Sequence, residues 1–128
     1  MSKKLISMIA GVMMLATAAL YAGSAILSWD YDFTSNPDVK QFKAFGVPGS
    51  NIVFTAGNAN ATKVATVSPG TNQLSGVQTN ILGNLTGLSP GYWTFTVTAL
   101  ATNGVESANA TNATALIRPG KPTNVDVQ

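Results

Sequence analysis

Hydrophobic and polar residues alternate along most of the chain beyond its N-terminal segment, and the alternation predicts β-strands. The clearest stretch is 92–101, where Trp93, Phe95 and Val97 share one face and threonines occupy the other. A period of two residues, with large apolar side chains on one side only, is typical of a half-buried antiparallel strand. No comparably long stretch has the three-to-four-residue spacing of an amphipathic helix.

Segment 25–31 alternates in the same way, with Leu27, Trp29 and Tyr31 on the face predicted to point inward. The remaining strand candidates are rich in β-branched residues and are separated by turn-forming glycine, proline and asparagine. They are 40–47, 51–56, 63–67, 77–85 and 108–117. Seven short strands with this punctuation predict an all-β fold, a single antiparallel β-sandwich. An up-and-down barrel is the alternative.

The first 22 residues have a different character. Lys3 and Lys4 precede an apolar stretch that ends in small residues, which is the layout of a secretory signal peptide. Cleavage is predicted after Ala18 or Ala22. No charged residue occurs from 5 to 27, so an uncleaved membrane anchor is the alternative. The predicted organisation is an apolar N-terminal helix over 1–22, a sandwich over 23–118 and a tail over 119–128.

Composition excludes several classes of function. The chain of 128 residues fits one domain and contains no cysteine or histidine, so disulfides, Cys/His zinc sites, thiolate nucleophiles and histidine acid–base chemistry are excluded. The net charge of +2 is supplied by Lys3 and Lys4, and the remaining charges balance. Without a basic stripe, a nucleic-acid partner is not expected.

Two stretches resemble a fibronectin type III domain. SWDYD at 28–32 places Leu27 and Trp29 in the family's leucine–tryptophan pattern on its second strand. LSPGYWTFTVTALATNGVES at 88–107 resembles the turn, aromatic corner and penultimate strand of the family. The resemblance covers about 25–117 and implies an immunoglobulin-like sandwich. The core signature that it implies is Leu27, Trp29, Leu88, Trp93, Phe95 and Val97.

The chain departs from this family in two respects. Trp93 stands where the family usually has a corner tyrosine, and an indole N–H can donate a hydrogen bond but not accept one. Tyr92 is an alternative source of the corner hydroxyl. The family's first strand is also expected to be missing, because segment 25–31 corresponds to the second. The tail, 119–128, is either the start of a further module, an extra edge strand of this sandwich, or a strand for a neighbouring chain.

Candidates for catalysis and metal binding are few. Asp30, Asp32 and Asp38 are close in sequence, but the glycine and distal glutamate of a calcium loop are absent, so a solvated strand end is the preferred interpretation. A glycosidase pair would need one of them opposite Glu106 across a deep cleft. No serine has a histidine to activate it. The sequence therefore predicts no enzyme activity, cofactor or metal.

The predicted function is that of an exported, non-enzymatic binding or structural module on a bacterial surface or a phage virion. Its contacts with a protein or glycan partner are expected at loops 32–38, 56–61 and 101–107, or at an edge strand that self-associates. The candidate contact residues are Asp32, Asn36, Asp38, Asn58, Asn60, Asn103 and Glu106. The alternative is a carbohydrate-binding module that uses an exposed aromatic side chain, with Tyr31 or Tyr92 as candidates.

Overall fold

The computed structural model describes residues 15–21, 23–69, 76–122 and 126–127. This part of the chain contains a short 3-10 turn, Ala56–Asn58, and seven strands. The strands are β1 (Leu15–Tyr21), β2 (Ser24–Asp32), β3 (Val39–Pro48), β4 (Lys63–Val67), β5 (Val77–Thr86), β6 (Gly91–Ala101) and β7 (Ala113–Ile117).

The strands form two antiparallel sheets. One sheet has the order β1-β2-β5, and the other has the order β4-β3-β6-β7. Their inner faces enclose one hydrophobic cluster that draws residues from both sheets, which makes a two-layer sandwich. The prediction of an all-β fold built from antiparallel strands is confirmed.

Aromatic side chains fill the space between the sheets. Trp29 and Tyr31 of β2 both contact Phe42 of β3 edge to face, with ring centroids 5.4 and 5.2 Å apart. A Cβ atom on Gly83 of β5 would lie 2.8 Å from the Trp29 ring, so only glycine leaves room for the indole. All residues of the expected core signature are buried: Leu27, Trp29, Leu88, Trp93, Phe95 and Val97.

The threonine face of β6 is buried as well, although the sequence pattern predicted a half-buried strand. The connection between β3 and β4 lies over it, where the backbone N–H of Ile52 donates to Oγ1 of Thr94 at 3.0 Å. Thr94 in turn donates to the carbonyl of Gly49 at 2.9 Å, and Thr96 donates to the carbonyl of Ala110 at 3.0 Å. Each hydroxyl has a partner, so hydrogen bonds offset the cost of removing these polar side chains from water.

Strand β1 overlaps the segment that the sequence analysis assigned to an N-terminal helix. Gly23, with φ of +75°, reverses the chain, and Leu15–Tyr21 then pairs antiparallel with β2. Pairing along the open edge of β2 outweighs local helical preference, because an unpaired strand edge leaves backbone groups without partners. The structure therefore has a strand before segment 25–31, where the sequence analysis expected none. Residues 1–14 and 22 of the predicted helix lie outside the described residues.

The predicted strand at 51–56 is wrong. Asn60 holds this segment in an irregular loop, since its Oδ1 accepts from the backbone N–H of Thr55 and its Nδ2 donates to the carbonyl of Val53, both at 3.0 Å. Side-chain hydrogen bonds of this kind offer the backbone an alternative to a strand ladder. The count of seven strands stands only because β1 takes the place of this segment.

The C-terminal tail forms no strand in residues 119–122 and 126–127, which are exposed. Residues 123–125 and 128, which complete the predicted edge strand, lie outside the described residues. Within the part of the chain that the structure describes, no helix has the length and apolar character needed to span a membrane.

Candidate functional site

A cleft of about 760 Å³ opens at the end of the sandwich where β2 leads into β3 and β6 leads towards β7. Its walls are residues 36–38 of the first connection and residues 102–103 and 105–108 of the second, and the strands contribute Tyr31, Val39, Ala99 and Ala101. We call this feature the loop cleft. Its volume falls within the range of about 300–1,000 Å³ that is usual for ligand sites.

The Asp32 carboxylate organises the β2–β3 connection. Its Oδ1 accepts from the backbone N–H groups of Thr34 and Ser35 at 3.0 and 3.3 Å, and its Oδ2 accepts from the Ser35 hydroxyl at 2.8 Å. These hydrogen bonds, the Ser35 hydroxyl first among them, hold the pKa of Asp32 below its usual value. Asn36 follows, and both its backbone N–H and its Nδ2 donate to the Asp32 carbonyl at 3.2 Å.

The connection after β6 is a tight turn that is tied to the first loop. The backbone N–H of Ala101 donates to the carbonyl of Val105 at 2.8 Å, and Asn103 Oδ1 accepts from the Val105 N–H at 3.1 Å. The backbone N–H of Thr102 donates to the carbonyl of Asp38 at 2.8 Å. This last hydrogen bond fixes the spacing of the two walls of the loop cleft.

Glu106 lies in the wall of the loop cleft that the second connection forms, next to β6. It accepts a hydrogen bond of 2.6 Å from Thr98 Oγ1, and Lys43 Nζ lies 3.7 Å from its other oxygen. About a third of each of the two charged side chains is exposed, so solvent screens their ion pair and its net contribution is small. The Glu106 carboxylate is thus held in place mainly by the buried Thr98 hydroxyl.

A second, smaller cleft of about 410 Å³ lies behind that wall. Residues 106–108 line both clefts, and the far side of the second one is formed by 54–58. Asn58 and Asn109 exchange side-chain amide hydrogen bonds of 3.0 and 2.9 Å across it. This reciprocal pair satisfies the amide groups that a ligand in the second cleft would use.

Two buried polar atoms at the loop cleft have no hydrogen-bond partner among the described residues. They are the hydroxyl of Tyr31 and Oδ1 of Asn36, whose side chains are 0% and 2% exposed. Burial, with a smaller effect from the Asp32 charge, raises the pKa of Tyr31 to about 12, so the phenol is neutral at ordinary pH. Both residues line the loop cleft, so their unpartnered atoms lie beside the cavity.

The groups around the loop cleft are suited to recognition. Val39 and Ala99 supply apolar surface, whereas Asn36, Asp38 and Glu106 supply hydrogen-bond acceptors. The Ser107 hydroxyl is already engaged, accepting from the backbone N–H of Ala99 and donating to the carbonyl of Ala108. No group of three His, Cys, Asp or Glu side chains that could hold a metal ion occurs among the described residues.

The structure brings together most of the contact residues predicted from the sequence. Those that line the loop cleft are Asn36, Asp38, Asn103 and Glu106. Asn58 lines the second cleft instead, and Asp32 and Asn60 are occupied in stabilising their own loops. Loops 32–38 and 101–107 therefore form one site, with loop 56–61 beside it.

The aromatic candidates are distributed differently from the expectation of a sugar-binding platform. Trp29, Trp93 and Tyr31 are buried, whereas Tyr92 is 53% exposed. Tyr31 was missed as part of the cleft, because strand alternation shows only that it points inward. The available signal was its position, because Tyr31 is the last inward-pointing residue of β2, where the sandwich ends.

Comparisons with known proteins support the fold alone. No protein-family model matches the chain, and no curated protein matches it. Among solved structures, the chain is similar to the crystal structure of a β-1,2-glucanase from Parabacteroides distasonis, with a TM-score of 0.54 and 18% sequence identity. The match covers 86% of this chain but 13% of that enzyme, so the chain spans about an eighth of its length.

Proposed function

We propose that this protein is a non-enzymatic binding module that holds a partner protein at the loop cleft. The observation that carries the proposal is the meeting of two loops around a cavity at which Tyr31 and Asn36 present buried polar atoms without partners. Such atoms cost stability in the free protein and are paired when a complementary group binds. A rigid sandwich that presents loops of this kind is a frequent scaffold for recognition.

A fibronectin type III-like identity is part of the same proposal. Its support comes from Leu27 and Trp29, buried side by side on β2, and from the corner at the start of β6. There the indole N–H of Trp93 donates to the carbonyl of Ser89, four residues upstream, at 2.8 Å. Trp93 thus makes a hydrogen bond of the kind that the corner tyrosine makes in related sandwiches.

We further propose export to a bacterial surface or a phage virion. The support is the signal-like sequence of residues 1–22 and the low content of charged residues, 9% of the chain. Processing and folding interact here, because cleavage after Ala18 would cut β1 and cleavage after Ala22 would remove it. An uncleaved anchor over 5–27 would likewise exclude the sheet as described, because a membrane-spanning helix of about 20 residues would include β1.

A carbohydrate-binding module is the second candidate, favoured by the exposed ring of Tyr92. One ring stacks on one sugar face, whereas the loop cleft offers a shaped cavity with several polar groups. Tyr92 is also absent from the residues that line the loop cleft. Recognition of a protein therefore remains the first proposal.

Selection of short peptides from a random display library, followed by NMR mapping, tests the proposal. Selected peptides should shift the backbone amide signals of 33–38 and 101–108, and an oligosaccharide panel should shift none of them. Asp38→Ala should weaken peptide binding while leaving the melting temperature close to that of the original protein, because the Asp38 side chain is exposed and lines the cleft. Binding that maps to Tyr92 and to oligosaccharides would instead favour the second candidate.

A further inference from the structure

The charged side chains that line the loop cleft are all acidic. Asp38 and Glu106 stand on opposite walls, and no lysine or arginine belongs to the described residues that line the cavity. Asp38 is exposed and belongs to no ion pair within the described chain. Low-dielectric walls concentrate the field of such charges, which favours a cationic occupant over a neutral or anionic one.

The unpartnered atom of Asn36 is a hydrogen-bond acceptor. Its Nδ2 donates to the Asp32 carbonyl at 3.2 Å, and only a nitrogen can donate there, so the amide orientation is fixed. Oδ1 is therefore the atom left without a partner in a side chain that is 2% exposed. An occupant must bring N–H or O–H donors to this position, because a second acceptor would leave both groups unpaired.

The apolar part of the cleft suits an aliphatic stem. Val105, which lines the cleft, is 63% exposed, and Val39 and Ala101, which pair between β3 and β6, line it as well. Long basic side chains bury their methylene groups on apolar surface while their charged ends reach polar partners. A cleft with this floor and acceptors at its rim is complementary to such a side chain.

We propose that the loop cleft recognises an arginine side chain of a partner protein, an inference that rests on the proposed function. The guanidinium group combines a positive charge, which suits Asp38 and Glu106, with five N–H donors, which the Asn36 acceptor requires. A lysine ammonium offers three donors at a single point and fits these spread acceptors less well. Because the Lys43–Glu106 pair is solvent-screened, an incoming guanidinium displaces Lys43 at small cost.

The test uses two peptides that differ at one atom. An acetylated Gly-Arg-Gly amide is titrated into the full-length protein and followed by NMR, and the same peptide with citrulline in place of arginine is the neutral, nearly isosteric control. The arginine peptide should shift the amide signals of 33–38 and 101–108. The citrulline peptide should bind at least about tenfold more weakly. Raising the salt concentration should weaken binding of the arginine peptide and leave binding of the citrulline peptide unchanged.

Charge-removing variants sharpen the assignment. Asp38→Asn and Glu106→Gln should each lower affinity for the arginine peptide about three- to tenfold, since each removes one cation partner. Asp126→Asn, which removes an equal charge from the exposed tail, is the matched control and should leave affinity unchanged. Melting temperatures of all three variants establish that the fold is retained.

The outcomes separate this inference from the proposed function. Equal binding of the arginine and citrulline peptides overturns the inference, while shifts at the loop cleft still support a binding module. Absence of shifts with either peptide at millimolar concentration also overturns it, and the displayed-peptide selection then decides the proposed function independently. Shifts that map elsewhere on the sandwich count against both.

Discussion

The two ends of the sandwich differ in how completely their polar groups are paired. At the end formed by the Gly23 turn and residues 87–91, the backbone N–H of Leu88 donates to the Gly23 carbonyl at 2.9 Å, and Trp93 donates to Ser89 at 2.8 Å. We call this the closed end. At the opposite end, the loop cleft contains Tyr31 and Asn36, each with an unpartnered buried atom.

This difference indicates which end serves stability and which serves recognition. A buried polar atom without a partner costs about 1–3 kcal/mol, so an end selected only for stability would not retain two of them. Local features that lower stability concentrate at functional sites and are offset elsewhere in the fold. The closed end supplies that offset, with Leu88 and Trp93 both buried in the core.

The largest expected effect comes from removing the strand that leads into the closed end. A chain that begins at Gly23 lacks β1, which leaves the edge of β2 unpaired from Ser24 to Trp29. Exposed edges template pairing with other chains, so this variant should self-associate in a concentration-dependent manner in analytical ultracentrifugation. A chain that begins at Leu15 retains β1 and is the matched control. A monomeric, equally stable Gly23 variant would show that β1 contributes nothing to the sheet.

Trp93 tests the closed end directly. Trp93→Ala leaves a large cavity in the core and should lower the free energy of unfolding by about 3–5 kcal/mol in urea denaturation. Trp93→Phe keeps a ring but removes the hydrogen bond to Ser89. The lost hydrogen bond should lower the free energy of unfolding by about 1 kcal/mol, in addition to the effect of the smaller ring. Equal losses in the two variants would mean that the corner bond, rather than packing, carries the whole effect.

Sequence patterns revealed the core of this protein better than its edges. Alternation in β2 and β6 is strong because one face of each strand packs in the sandwich, and those side chains are buried as expected. The sequence did not show that the threonine face of β6 is buried as well, because threonine is compatible both with solvent and with a covering loop that supplies carbonyl partners. The loop at 51–56 was mistaken for a strand because Asn60 acts on it through non-neighbouring hydrogen bonds.

The N-terminal strand was obscured by a composition that suits two environments. Leu15–Tyr21 contains Leu, Ala, Thr and Tyr, which are equally acceptable in a signal segment and on a strand edge. Loops 32–38 and 101–107 were predicted as contact loops, but their meeting in a cleft was not, because the mistaken strand at 51–56 changes the end of the sandwich at which each later turn lies. The unpartnered atoms of Tyr31 and Asn36 depend on side-chain packing that no local pattern encodes.

At the cleft end, Tyr31→Phe should change the free energy of unfolding in the opposite direction to the Trp93 variants. Removing an unpartnered buried hydroxyl while keeping the ring should raise the free energy of unfolding by about 1 kcal/mol. Urea denaturation at neutral pH measures this gain. A loss of stability would mean that the hydroxyl already has a partner, such as an ordered water molecule, in the free protein.

Ionisation of Tyr31 should also make the stability of the protein depend on pH in the alkaline range. The pKa of Tyr31 is about 12 in the folded chain against an ordinary value of 10.0, so folding favours the protonated phenol. Its contribution is complete below pH 10 and is lost as pH rises from 10 towards 12, by roughly 2 kcal/mol. The Tyr31→Phe variant should lack this component when both proteins are unfolded at a series of alkaline pH values. Parallel curves would contradict the assignment.

The smallest expected effect concerns Asp32, which holds the cleft end in shape without lining the cleft. Its pKa is lowered from 3.8 in the folded state by hydrogen bonds from Ser35 and Thr34, so its contribution is present above about pH 4 and is lost as pH falls through the lower folded value. Asp32→Asn keeps an acceptor for both backbone groups but removes the charge, and it should lower the melting temperature by a few degrees at neutral pH and by progressively less in acid.

Asp126→Asn is the control for that measurement, because among the described residues Asp126 accepts only from the adjacent backbone N–H of Val127 in the exposed tail. The two aspartate variants should therefore diverge above about pH 4 and converge below it. If they coincide at every pH, the β2–β3 connection is stabilised by its backbone hydrogen bonds alone. The cleft end would then owe its shape to the Thr102–Asp38 link between the two loops, and stability there would be insensitive to acid.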